Sequence, residues 1–184
     1  MNLVLNTDEK MLFELIRSAL NDSPIDISIF QKRTDKEWNG CFLLSKRQGV
    51  VGIAWDGILK LPLDLTPPRI LKLQWWAVVR YCEAHHARYL EVVNELVEFF
   101  AHYGITAVQL KGIGLSSDYP VPVHREGGDI DLYTYSSDLS KMSDAEANHL
   151  SDRLIEKKGI SVDRSDHKNS LFYYKGKVRD DFNR

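Results

Sequence analysis

The 184-residue sequence predicts an α+β protein, with a helical region over residues 1–104 and a core with a small mixed β-sheet over residues 105–184. Two patterns carry this division. Apolar residues recur at spacings of three and four through the first region, whereas from Ile105 onward short apolar runs alternate with glycine turns and one capped helix. The composition, 43% hydrophobic and 27% charged, is that of a packed globular chain and argues against disorder. With 24 Lys+Arg against 26 Asp+Glu the formal charge is −2, so the basic excess of a general nucleic-acid binder is absent. No stretch approaches the roughly 18 to 20 apolar residues of a membrane span. Asp8, Glu9 and Lys10 stand where a signal peptide would place its apolar run, and Cys41 and Cys82 stand singly. Both features predict a reducing, cytoplasmic setting.

Asn6 with Glu9 three residues on predicts a capping box, with Asn in place of the usual Ser or Thr. Behind it Met11, Leu12, Leu15, Ile16 and Leu20 form one helical stripe, which Asn21-Asp22-Ser23-Pro24 ends. A second helical region is predicted from Asp35 to Leu61, containing Trp38, Phe42, Leu43 and Val50 and divided by Gly49 and Gly52. Pro67 and Pro68 precede the longest periodic segment, from about Arg69 to Tyr103, with Gly104 as its C′ residue. One long amphipathic helix fits it, with a break near His85 and His86 as the alternative. Its aromatic content favours packing against the other helices over a coiled-coil seam, and assigns Trp75, Trp76, Tyr81 and Tyr89 to core or partner surface. His86 falls on the apolar stripe as a satisfied core histidine, and His124 falls in a surface loop, with reach to a substrate beside Arg125 and the acidic pair as the alternative.

Beyond residue 105, Ile105 to Leu110 predicts a short buried strand that runs into Lys111-Gly112-Ile113-Gly114. Gly127-Gly128 leads into a second strand, Asp129 to Tyr133. Ser143 with Glu146 caps a helix to about Lys158, closed by Gly159. Two further strands are predicted, roughly Ser170 to Tyr174 and Lys177 to Phe182, with a tight turn at Lys175-Gly176.

The chemistry concentrates at Asp129-Ile130-Asp131. Residues two apart on a strand share a face, so both carboxylates project together while Ile130 and Leu132 face the packing. Two adjacent carboxylates repel unless a cation lies between them, and oxygen ligands of this kind suit Mg²⁺ or Mn²⁺. A solvated strand face bearing two acids is the alternative. Upstream, a glycine at a strand end lets backbone N–H groups approach a phosphate, and the short helix expected after it points its positive end the same way. Lys111 is either a point-charge phosphate contact or an exposed lysine. Phosphate on one edge and metal on the next strand is the arrangement that nucleotidyl transfer requires.

The run Leu110-Lys111-Gly112, Tyr119-Pro120 and Arg125-x-x-Gly128-Asp129-Ile130-Asp131-Leu132 resembles the polymerase-β-type nucleotidyltransferase superfamily. More narrowly it is similar to a bacterial "uncharacterised nucleotidyltransferase" family with a Lys-Gly form of the glycine motif. Asp35-x-x-Trp38 and Ser45-Lys46-Arg47-Gln48-Gly49-Val50 resemble the helical stretch that precedes that family's core. The resemblance implies transfer of NMP from an NTP such as ATP to a hydroxyl acceptor, with release of pyrophosphate. Asp129 and Asp131 would hold Mg²⁺ or Mn²⁺, Lys111 and Gly112 would meet the phosphates, Arg125 would contact nucleotide, and Gly128 would relieve crowding beside the metal. Such enzymes use a third carboxylate on a neighbouring strand, for which Asp180 and Asp181 are the candidates. Alternation favours Asp181 as catalytic and metal-binding residue, since Asp180 shares the core-facing side with Val178 and Phe182.

Two residues depart from the family pattern: Ile113 where Gly or Ser follows the glycine, and Asn183 where His is common. They give a non-catalytic nucleotide-sensing or protein-interaction module as the alternative function. The near-neutral charge favours a small molecule or protein over RNA as acceptor, and the oligomeric state is left open. The sequence stops at Arg184, three residues after Asp181 and within a predicted strand, so the core is expected to be truncated.

Overall fold

A computed structural model describes residues 5–163 and 170–172. The described residues form two compact units: one up to His86 together with Leu115–Gly127, the other of Ala87–Gly114 and the residues from Gly128 onward. The α+β class is observed.

In the first unit α1 (Thr7–Leu20) starts from the expected capping box. The Asn6 side chain accepts from the Glu9 N–H at 2.9 Å, and the Glu9 carboxylate accepts from the Asn6 N–H at 2.8 Å. A second capping box, Thr34 with Glu37, opens α2 (Asp35–Arg47). Gly49, at φ +63°, takes the left-handed turn into α3 (Val51–Ile58). Gly52, expected to share that break, lies inside α3. Its role is proximity: a Cβ there would stand 2.7 Å from the backbone oxygen of His124. Gly57 likewise lets α3 meet α1, where a Cβ would stand 2.4 Å from the Leu15 oxygen. The core of this unit joins Met11, Leu15, Trp38, Ile58 and Trp75, with the Trp75 indole N–H donating to the Val51 oxygen at 3.1 Å.

The long periodic segment forms one helix, α4 (Arg69–Ala101), unbroken at the two histidines. His86 is buried as expected, but its Nδ1 finds no hydrogen-bond partner among the described residues, and burial pushes its pKa down. Cys41 and Cys82 are buried free thiols, both pushed up to about 12 chiefly by burial, and stay protonated at physiological pH.

In the second unit Gly104 (φ +72°) turns the chain into β1 (Ile105–Gln109), which pairs antiparallel with β2 (Leu132–Ser136) in the register Ile105↔Ser136 to Gln109↔Leu132. The second strand therefore begins three residues later than the sequence predicts. The Ser143–Glu146 capping box opens α5 (Asp144–Lys157), and Gly159 (φ +78°) closes it. Residues Val92, Leu96 and Phe100 of α4 pack with Ile105, Leu154 and Ile155 into this unit's core. A short antiparallel pair, β3 (Val162–Asp163) with β4 (Leu171–Phe172), follows. Both described pairings are antiparallel, so a mixed sheet is not seen among the described residues. The predicted strand from Lys177 to Phe182 and its turn lie outside them.

Candidate functional site

The end of β1 and the start of β2 bring the two glycine- and acid-bearing motifs together. Beyond the ladder, the Leu110 N–H donates to the Asp131 oxygen at 3.0 Å, which holds Asp131 at the sheet end. Lys111 then pairs with Asp131, Nζ to Oδ1 at 3.2 Å, with the two side chains 68% and 33% exposed. Gly112 adopts φ +64°, and a Cβ on it would come within 2.9 Å of the Asp129 backbone oxygen. Only glycine lets the two segments approach this closely. The 3-10 turn Gly112–Asp118 follows, as expected of a short helix at this edge. Ile113 is buried against Tyr89, Val93 and Ile130, so the departure at this position anchors the turn to α4.

Asp129 and Asp131 precede β2 rather than lying in it, with Asp129 exposed and Ile130 half-buried against the core. The ladder starts only at Leu132, which leaves both acids on irregular backbone at the strand's mouth. The donors of Asp129 and Asp131 are hard oxygens, the kind that suits Mg²⁺ or Mn²⁺, and one of them is paired with the Lys111 ammonium. Among the described residues no group of three or more metal-ligating side chains occurs. Asp180, Asp181 and Asn183 lie outside the described residues. Among the described residues, crowding by protein atoms is relieved at Gly112 and not at Gly128, where an added Cβ meets nothing within 4 Å.

Arg125 belongs to the first unit. Its guanidinium lies 5.9 Å from the Tyr119 ring centroid and donates to the Glu126 oxygen at 3.1 Å. On either side of it the loop is gripped. His124, expected on a surface, is 7% exposed. Its Nδ1 stands 2.8 and 2.9 Å from the two carboxylate oxygens of Asp56, and its Nε2 stands 3.1 Å from Glu83, which also pairs with Arg80. Ionised carboxylates only accept, so a carboxylate at each ring nitrogen favours the doubly protonated imidazolium form. Burial alone lowers the His124 pKa, yet the hydrogen bonds to Asp56 and Glu83 outweigh it and raise the pKa above the ordinary histidine value. The Glu126 carboxylate accepts from the Val51 N–H at 2.8 Å, at the start of α3. Burial raises the Glu126 pKa against the pull of the Val51 and Gly52 N–H groups. This cluster was not legible in the sequence, since Asp56 and Glu83 lie 68 and 41 positions from His124.

No curated protein and no solved structure matches the chain. One family does, over residues 34–178, a span that includes α2 to β4 and all of the motif from Lys111 to Asp131. The chain thus belongs to the uncharacterised nucleotidyltransferase family.

Proposed function

We propose that this nucleotidyltransferase-family chain is a metal-dependent enzyme that binds an NTP and transfers its NMP to a hydroxyl group, releasing pyrophosphate. The observation that carries this reading is the convergence at one sheet end: Lys111 on Asp131, and Gly112 against the backbone of Asp129. Asp129 and Asp131, with Asp181 as third carboxylate, are the proposed ligands of Mg²⁺ or Mn²⁺. The metal, when bound, supplies charge stabilisation for the triphosphate and lowers the pKa of the acceptor hydroxyl. The backbone N–H groups around Gly112 and the Lys111 ammonium hold the β- and γ-phosphates. Arg125 and Gly128 are further proposed nucleotide contacts. The acceptor is a small molecule or a protein side chain in preference to RNA, given the net charge of −2. The cytoplasm, where both buried thiols stay reduced, is the proposed setting.

Isothermal titration with Mg²⁺ and each of the common NTPs tests the reading. Binding by wild type and its loss by tenfold or more in Asp129→Asn/Asp131→Asn, about 1.4 kcal/mol, is the expected result. No binding by wild type, or equal binding by the double variant, overturns it. Pyrophosphate release with candidate acceptors then separates an enzyme from a nucleotide-sensing module, which binds without turnover.

A further inference from the structure

The first turns of α4 carry two unlike faces. Leu71, Trp75 and Val79 point into the core, while Ile70 is 74%, Leu73 57% and Trp76 51% exposed. At about 100° per residue, Arg69, Leu73 and Trp76 fall on one stripe with Lys72 at its side. These residues and the largely buried Trp55 of α3 line a surface cleft of about 360 Å³.

The two charged residues that line this cleft, Arg69 and Lys72, are both basic. Between Arg69 and Tyr81 the sequence has Arg69, Lys72 and Arg80 and no acid, the first being Glu83, which takes Arg80. Among the described residues neither Arg69 nor Lys72 is paired with a carboxylate. α1, α2 and α5 each place two acids in the first turn, where the helix dipole favours them; α4 places none there. Two cations beside a half-exposed indole and an exposed leucine are complementary to an apolar group flanked by carboxylates.

We propose that this cleft docks a protein partner through an acidic amphipathic segment. One large apolar side chain of that segment seats against Trp55 and Trp76, and its carboxylates face Arg69 and Lys72. Tryptophan and arginine around a cleft are the groups that dominate such interfaces, and a helix laid along exposed residues spaced by three and four is a recurring mode. A single-stranded nucleic acid is the weaker fit, because it leaves the aliphatic Ile70 and Leu73 unused and the chain has no basic excess. An anionic membrane surface is also weaker, since the lining carries only two basic residues, Arg69 and Lys72.

The test uses the full chain and a fluorescent helical peptide with Leu at i, i+3, i+4 and i+7 and Glu on both flanks. Its control carries Lys for every Glu. Anisotropy is expected to show the acidic peptide binding at least tenfold tighter than the control. Trp76→Ser is expected to weaken it at least tenfold, and Arg69→Glu/Lys72→Glu to abolish the preference. All three positions are at least partly exposed, and far-UV circular dichroism checks that the variants fold. No binding, equal binding of both peptides, or indifference to Trp76→Ser overturns the proposal. Tighter binding of an oligo-dT strand or of phosphatidylserine vesicles than of the acidic peptide overturns it as well. None of these outcomes depends on nucleotide or metal, so they leave the catalytic reading untouched.

Discussion

With a carboxylate at each ring nitrogen of His124, Asp56 at one and Glu83 at the other, the folded chain holds to higher pH a proton that the unfolded chain releases near pH ~6.5. A raised folded pKa means stability that is complete below the unfolded value and is lost as pH climbs through the folded one. Glu126, raised by burial, acts with the same sign from a lower starting pH. Glu14 acts oppositely: its hydrogen bond from Arg17 holds its pKa down, so its contribution is present above the usual carboxylate range and fades in acid. Urea melts followed by circular dichroism are therefore expected to show stability falling as pH rises above about 6.5. His124→Gln should flatten that fall, and at pH 6 should cost about 1–3 kcal/mol, because two half-buried carboxylates lose a shared hydrogen-bonded cation while Glu83 keeps Arg80. An unchanged alkaline slope in the variant would show that the proton sits elsewhere. The local sequence Pro122-Val123-His124-Arg125-Glu126 gives no sign of this cluster, whose partners come from two distant helices. Gly52 was the one available hint, a glycine within an otherwise apolar segment that demands a close neighbour.

Helices were the most legible elements, because their signals are local. Two capping boxes and the three-and-four spacing mark α1, α4 and α5 without reference to anything distant, while Thr34 with Glu37, the box that opens α2, is not among the predicted signals. The strands were less so. β2 slips to Leu132–Ser136 because its extent depends on which residues face Ile105–Gln109, and the two aspartates outrun that partner. Glycine substitutions separate the roles that sequence alone ran together. Gly57→Ala drives a methyl into the α1 backbone at Leu15 and is expected to cost at least about 1–3 kcal/mol in a urea melt. Gly128→Ala meets none of the described residues and should stay within about 0.5 kcal/mol of wild type. A loss of Mg²⁺-NTP affinity in Gly128→Ala at unchanged stability would support its assignment to the nucleotide; unchanged affinity would remove it from the site.

At the scale of the molecule two hydrophobic cores are built on one helix, whose first half supplies Leu71, Trp75 and Val79 to one and whose second half supplies Val92, Leu96 and Phe100 to the other. Ile155→Ala is expected to cost about 2–5 kcal/mol. Hydrogen exchange should report that loss chiefly in α5, β1 and β2, with α1 to α3 least affected; uniform loss across all of them would mean a single cooperative unit. The sequence's near-balance of charge, −2 in all, has a local counterpart at the pairing of Lys111 with Asp131. Under the proposed function that ammonium would have two claimants, the Asp131 carboxylate and a polyphosphate. A metal ion held by Asp131 would compete with Lys111 for the carboxylate, and a lysine so displaced would be free to meet the phosphates. Lys111→Met should accordingly move two affinities in opposite directions, tightening bare Mg²⁺ while loosening Mg²⁺-NTP, and a titration in which both shift the same way would rule the exchange out.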